Sequence, residues 1–243
     1  MRDKLEKKIV DKPGDLKRHE DYAEWLEANG EEARAELIRL QIAMENTRLD
    51  REKRFELELQ ERRLIEAHGR EWIGELGEFV LLKPTDEKNY RLKHGCKVLW
   101  YRGWVRGLQL DELTLKLSKV LLQAPEMRLF NTLILTEPVN ASCDYLHEWG
   151  LLDKLKHIDL SYGRVSDKGA QTLAADRSIK KLDTLDLSGN QITEEGLAPI
   201  LKSFPKVQVD DQSPIEVSRD DVPAAETVDD EDSGDDDDSD DDE

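Results

Sequence analysis

The stretch LDTLDLSGNQITEEGLAPIL, residues 182–201, carries the apolar pattern that decides the fold. Leu182, Leu185 and Leu187 are separated by three and then two residues, so the last two point to the same face of a short strand. A turn around Asn190 follows, and then a segment with helical character. A unit this short cannot bury its own leucines, so the pattern predicts further units of the same kind stacked against it.

The same pattern recurs along the chain. The segment LKHIDLSYGRVSDKGAQTLA, residues 155–174, aligns with it at an offset of 27 residues. Weaker copies of the apolar triad begin at Val105, Phe130 and Phe204. The sequence therefore predicts five turns, two clear and three degraded. Ser166 and Thr193 stand where the helices of the two clear turns need N-caps.

The segments LKHIDLSYGRV and LDTLDLSGNQI resemble leucine-rich repeats, whose pattern is L-x-x-L-x-L-x-x-N-x-L. Their period is similar to that of the ribonuclease-inhibitor-like subtype, which has a helix on the outer side of each turn. The asparagine of the pattern is present only as Asn190, and the first two turns are therefore expected to be irregular. The resemblance implies an α/β fold, a short leucine-rich-repeat solenoid. A plain α/β sheet with coincidental leucines is the alternative.

The first hundred residues differ in kind from the repeats. Helical spacing of apolar residues predicts helices in 14–30, with Leu16 on the buried side, in 31–46, and in 50–69, ending at Gly69. The segments EFVLL and CKVLWYRGWV are predicted to be strands, separated by a polar loop around KPTDEKN.

Three motifs in this region are similar to those of a bacterial repeat-companion domain. They are DYAEWLEANGEEARAELIRLQIAM, RRLIEAHGREWIGELG and YRGWVRGLQL, and they span roughly residues 14–110. Such a domain typically precedes leucine-rich repeats, and the resemblance implies no catalytic activity. It implies a helical cap on the first turn, where Trp25, Leu37, Trp72 and Trp104 are candidates for the junction. Packing into a core is the expected role of these tryptophans.

Charge separates the C-terminal residues from the rest. Of 55 acidic residues in the chain, 15 lie in residues 220–243, which contain no basic residue. So much like charge with so few apolar residues predicts a disordered acidic tail, which serves either solubility or the attraction of basic partners. The predicted organisation is a helical companion or cap domain over 1–100, about five leucine-rich turns over 101–212, and the tail over 213–243.

No motif in the sequence predicts catalysis, a metal site or a cofactor. Cys143 and His147 are four residues apart, but further zinc ligands are missing around them. No glycine-rich phosphate loop occurs, and the excess of acidic residues disfavours nucleic acid as a partner. The absence of a secretory signal or membrane span in the sequence predicts a cytoplasmic protein, which we expect to be monomeric.

Alternation along the predicted strands points one set of side chains away from the stack, onto a concave face. This face is polar and mildly acidic, so we expect a protein partner, preferably a basic one, with Tyr162 and Ile134 as anchors. The function predicted is a non-enzymatic protein–protein interaction scaffold. The alternatives are an acidic-tail chaperone or nucleic-acid mimic that binds basic proteins, as histone chaperones do, an unrecognised enzyme, and a structural unit without a partner. The candidate binding residues are Gln109, Asp111, Thr132, Ile134, His157, Asp159, Ser161, Tyr162, Thr184, Asp186 and Ser188.

Overall fold

The computed structural model describes residues 1–82 and 90–214. The predicted loop at 83–89, and all but the first two residues of the predicted tail, lie outside the described residues. The described helices are α1 (Arg2–Asp11), α2 (Leu16–Ala28), α3 (Glu32–Met44), α4 (Arg51–Trp72), α5 (Gly77–Val80), α6 (Leu115–Gln123), α7 (Asn140–Glu148), α8 (Asp167–Ala175) and α9 (Glu194–Ser203). The strands are β1 (Lys97–Tyr101), β2 (Trp104–Leu110), β3 (Thr132–Leu135), β4 (His157–Asp159) and β5 (Thr184–Asp186).

The five strands form one sheet in the order β1-β2-β3-β4-β5. The first two pair as an antiparallel hairpin, and β2 to β5 pair in parallel with one α-helix between successive strands. The pairs Leu108–Leu133, Leu133–Ile158 and Ile158–Leu185 confirm the register predicted from the repeat alignment. An isolated bridge from Asp186 to Gln208 extends the same direction by one further turn.

Asn190 ties two successive turns together through its side-chain amide. It is fully buried. Its Nδ2 donates to the carbonyl oxygens of Leu160, Leu187 and Ser188 at 2.7, 2.9 and 3.3 Å. Its Oδ1 accepts from the backbone N–H of Val165 at 3.0 Å. Because the backbone of the loops cannot pair within its own turn, this amide satisfies groups that would otherwise be buried without partners.

The helix N-termini are capped in two different ways. Thr193 caps α9 as predicted, since its Oγ1 accepts from the N–H of Gly196 at 3.1 Å. Ser166 occupies the N-cap position of α8, but its side chain does not cap the helix, so that part of the prediction is wrong. The acceptor is Asn140 in α7, whose Oδ1 accepts from the N–H groups of Ser166 and Gly169 at 2.9 and 3.1 Å. One turn therefore caps the helix of the next.

The N-terminal helices hold the tip of the β1–β2 hairpin. Arg102 donates from Nε and Nη2 to the two carboxylate oxygens of Glu45, at 2.6 and 2.7 Å, which lowers the pKa of that carboxyl. Gly103 has φ +76, and a Cβ there would lie 2.6 Å from Ile38, so only glycine suits this close approach. Its N–H donates to Gln41 at 2.7 Å. The hairpin and the helices are thus fixed to each other by backbone contacts as well as by packing.

Two apolar cores result, and they overlap in sequence around residue 100. One contains Trp104 and Leu129 together with side chains of α1, α2 and α3. The other extends from Ile73 and Leu76 through every turn to Val207. Of the predicted junction residues, Trp104 and Trp25 each stack on Tyr22, Leu37 is fully buried, and Trp72 meets Trp100 edge-on.

Several local predictions for the N-terminal region are wrong. EFVLL is not a strand: its first three residues belong to the short helix Gly77–Val80, and Leu81 then forms an isolated bridge with Leu92. Val80 and Leu81 are both buried, although they are consecutive, which a half-buried strand does not allow. The helix expected to end at Gly69 continues to Trp72, whose ring is buried, and a Cβ on Gly69 would lie 2.8 Å from the ring of Tyr90.

Two further predictions for this region differ from the structure. Leu16, expected on the buried side of α2, is its first residue and is exposed. CKVLWYRGWV forms the two antiparallel strands of a hairpin rather than a single strand, because Arg102 and Gly103 both adopt positive φ and turn the chain.

Candidate functional site

The parallel strands present two rows of side chains on the face opposite the helices. The register aligns Thr132, His157 and Thr184 in one row and Gln109, Ile134, Asp159 and Asp186 in the other. Most of these side chains are half-buried, and Thr184 is exposed. The structure therefore brings the predicted binding residues of the strands onto one continuous surface, which we call the concave face.

Many polar groups of the concave face bond to one another. His157 Nδ1 lies 3.0 Å from Thr184 Oγ1. Asp159 Oδ1 accepts from both the N–H and the Oγ of Ser161, at 2.9 and 2.6 Å, and Asp186 Oδ1 accepts from the N–H of Ser188 at 2.8 Å. These carboxylates therefore stabilise the turns that leave β4 and β5. These hydrogen bonds hold the side chains of the concave face in place before any partner binds.

The predicted residues at the ends of the strands differ in exposure. Asp111 is exposed, and its Oδ1 accepts from Thr136 Oγ1 at 2.8 Å. Ser161 is half-buried, whereas Ser188 is buried. Contact of Ser188 with a partner stays a prediction, although only 7% of its surface is exposed.

Tyr162 is an exposed aromatic residue on an unusual backbone. It follows the concave face, 72% of its surface is exposed, and its φ is +55. The corresponding positions of the next two turns, Gly189 and Asp211, have φ +66 and +56, so each of the three turns uses the left-handed region here. Glycine and aspartate enter that region more easily than a bulky side chain, for which it costs about 1–2 kcal/mol.

The Tyr162 ring lies close to Gly189 of the next turn. A Cβ on Gly189 would lie 2.5 Å from Cδ1 of this ring. The N–H of Tyr162 donates to the carbonyl of Ser188 at 2.8 Å. The side chain is therefore held in place while most of its surface is exposed, which is how an aromatic anchor for a partner is prepared.

The two ends of the parallel strands carry opposite charge. At the carboxyl ends, exposed acidic side chains stand after β2, after β3 and after the last turn: Asp111, Glu112, Glu137, Asp210 and Asp211. At the amino ends, basic residues meet around one cavity of about 460 Å³. We call this cavity the basic pocket; its cations are Arg106, Arg128, Lys154 and Lys156.

The prediction of a mildly acidic face missed the basic pocket. The signal was present in the sequence, since Arg106 and Lys156 directly follow Val105 and Leu155, the first residues of two apolar triads, and Lys154 directly precedes Leu155. The strand positions predicted to form the concave face start one position after Arg106 and Lys156, so the prediction left these basic residues out. Burial lowers the pKa of Lys154 to about 8, while its amine donates to the carbonyl of Leu121 at 2.6 Å.

Within residues 1–82 and 90–214, no group of three or more potential metal-ligating side chains comes together. Burial raises the pKa of the Cys143 thiol to about 12. His147 bonds to Asp176 and does not pair with Cys143. No helix in this described part is both long and apolar enough to cross a membrane.

Comparison with known proteins bears on the repeats. Residues 153–174 and 178–201 each match the family model of the Leucine Rich repeat. These segments include β4 with α8 and β5 with α9, so the match falls on two consecutive strand–helix turns. Neither a curated protein nor a solved structure matches the chain. Leucine-rich repeats commonly serve as protein-interaction modules, and the chain contains two of them.

Proposed function

We propose that the protein is a non-enzymatic interaction scaffold, a short leucine-rich solenoid that binds a protein partner on the concave face and at Tyr162. The observation that carries the proposal is the exposed ring of Tyr162 on a left-handed backbone. Folding alone would favour glycine or aspartate there, as in the following turns. Strain of this kind is retained where it contributes to function.

The charges of the sheet indicate how a partner would be oriented. The exposed carboxylates at the carboxyl ends of the strands favour a basic patch on the partner next to Tyr162. Ile134, half-buried in the middle of the face, offers apolar contact. We further propose that the helices before β1 are a repeat-companion domain that caps the first turn, and that the protein acts as a cytoplasmic monomer.

The experiment is affinity capture from the native cell extract with three forms of the protein. Tyr162→Asn keeps a residue that tolerates positive φ, so the fold is preserved while the aromatic contact is lost. Leu201→Asn is the matched control, since Leu201 is exposed on the outer helix α9. A captured protein that is depleted at least tenfold by Tyr162→Asn and retained by Leu201→Asn supports the proposal. Equal capture by all forms contradicts it.

An acidic-tail chaperone is the second candidate, favoured by the 15 acidic residues of 220–243. Such a protein would bind many basic proteins through charge alone. Binding of a basic probe such as polylysine would then disappear when those acidic residues are neutralised, and Tyr162→Asn would not affect it. The scaffold proposal predicts the opposite for its specific partner: Tyr162→Asn removes the binding, and neutralising the acidic residues does not.

A further inference from the structure

The basic pocket gathers cations without carboxylates. It lies between the loop joining α1 to α2 and the amino ends of β2, β3 and β4. Four cations line it, and none of the acidic residues that the structure describes does. Among the described residues, Arg106, Lys154 and Lys156 form no salt bridge, whereas Arg128 pairs with Asp3 and Glu6. A concentration of positive charge in an acidic chain calls for an anionic ligand.

The walls of the basic pocket are preorganised. The guanidinium of Arg106 lies 4.6 Å from the ring centre of Tyr101, which holds it against the wall. The buried side chains of Leu129 and Phe130 form an apolar floor. The pocket therefore fits a flexible chain that carries several carboxylates and can lay its backbone on the floor.

We propose that the acidic segment 220–243 of the same chain binds the basic pocket. The segment carries 15 carboxylates and no cation, so it complements the four cations of the pocket in charge. Being on the same chain, it is present at an effective concentration on the order of millimolar, which a separate acidic peptide must exceed to displace it.

The part of the chain that follows residue 214 is long enough to reach the basic pocket. Residue 213 bonds to Asn190 beside the last turn, and the turn at Gln208 is four strand steps from Gln109 in β2. At about 4.8 Å per step the sheet is crossed in roughly 19 Å. The pocket lies at the amino ends of the strands, so the 7 residues of β2 add about 23 Å along the strand direction. Residues 215–228 can span up to about 46 Å when extended, so the acidic residues from 229 onward can reach the pocket.

Binding of this segment to the basic pocket regulates which charges of the sheet are available to a partner. With the segment bound, the positive end of the sheet is neutralised, and the acidic end next to Tyr162 is left free for a basic partner. Screening acts over about 8 Å at physiological ionic strength, so raised salt weakens the contact.

The test uses the full-length chain and a fluorescent peptide of residues 220–243. A variant with all 15 acidic residues of that segment changed to Asn or Gln leaves the basic pocket empty of its own ligand. We expect the peptide to bind this variant at least tenfold more tightly than the unaltered chain. Adding Arg106→Glu and Lys156→Glu should abolish the binding, while Lys168→Glu and Lys202→Glu, on exposed positions of α8 and α9, should preserve it.

Other outcomes overturn the proposal. Failure of the neutralised chain to bind the peptide would show that the pocket does not take this segment, and binding unaffected by the pocket substitutions would place the contact elsewhere. A dimer of the unaltered chain that dissociates on neutralisation would mean that the segment binds a second copy. Lys156 is exposed, so Lys156→Glu alone keeps the test valid if the double substitution does not fold.

Discussion

Replacing Asn190 by alanine tests the repeat architecture at its most constrained side chain. The substitution removes the acceptor of the Val165 N–H and the donor to two carbonyls at 2.7 and 2.9 Å, since an amide has only two N–H groups for its three carbonyl neighbours. The Leu187 carbonyl keeps Gln212 Nε2 as a donor at 2.7 Å, so the Val165 N–H and the Leu160 carbonyl are the two groups left without a partner. Each costs about 1–3 kcal/mol, and the two together should lower the free energy of unfolding by about 2–6 kcal/mol.

The assay is urea denaturation followed by far-ultraviolet circular dichroism, with Gln191→Ala as the control. Gln191 is next in sequence and half-buried, and its substitution should change the free energy by less than about 0.5 kcal/mol. Because turns of a repeat interact only with their neighbours, Asn190→Ala should loosen the turns around β4 and β5 first. A loss below about 1 kcal/mol would refute the reasoning, since the amide would then not link the turns.

Three further predictions concern buried groups. Leu185→Asp places an unpaired charge in the repeat core and should cost about 3 kcal/mol or more in urea denaturation, whereas Thr184→Asp on the exposed face should cost far less. The Cys143 thiol, buried with a pKa raised to about 12, should react with a thiol reagent only on unfolding, and equal reaction in the native protein would contradict its burial. The Lys154 amine has a folded pKa of about 8, below its unfolded value, so its burial penalty is full below pH 8 and disappears as pH rises toward 10.5. At 1.36 kcal/mol per pKa unit, stability should rise over that window by on the order of 3 kcal/mol relative to Lys154→Met, and parallel pH profiles would contradict this.

The repeat register was predictable because burial imposes a period of two on each strand. Leu108, Leu133, Ile158 and Leu185 recur at the same place in each turn, and the structure pairs them as aligned. A shift by one residue would expose every one of them, so the pattern tolerates no other register.

What the sequence did not predict depends on contacts between distant segments. Asn140 caps the helix of the following turn, and a local reading assigns that role to Ser166 instead. EFVLL has strand-forming residues, but its first three end the helix α5, and Val80 and Leu81 both pack into the repeat core. The basic pocket requires Tyr101 and Arg106 to meet Lys154 and Lys156, which only the parallel stacking brings together.

Side-chain footprinting tests the central claim, protein binding on the concave face, most directly. Hydroxyl radicals modify exposed side chains, so the full-length chain is compared with and without the partner captured in the extract experiment. The account predicts that Tyr162, 72% exposed when free, becomes protected together with His157, while Leu201 and Trp149 react as before. Unchanged reaction at Tyr162, with protection of Leu201 or Trp149, would place the partner elsewhere and contradict the account.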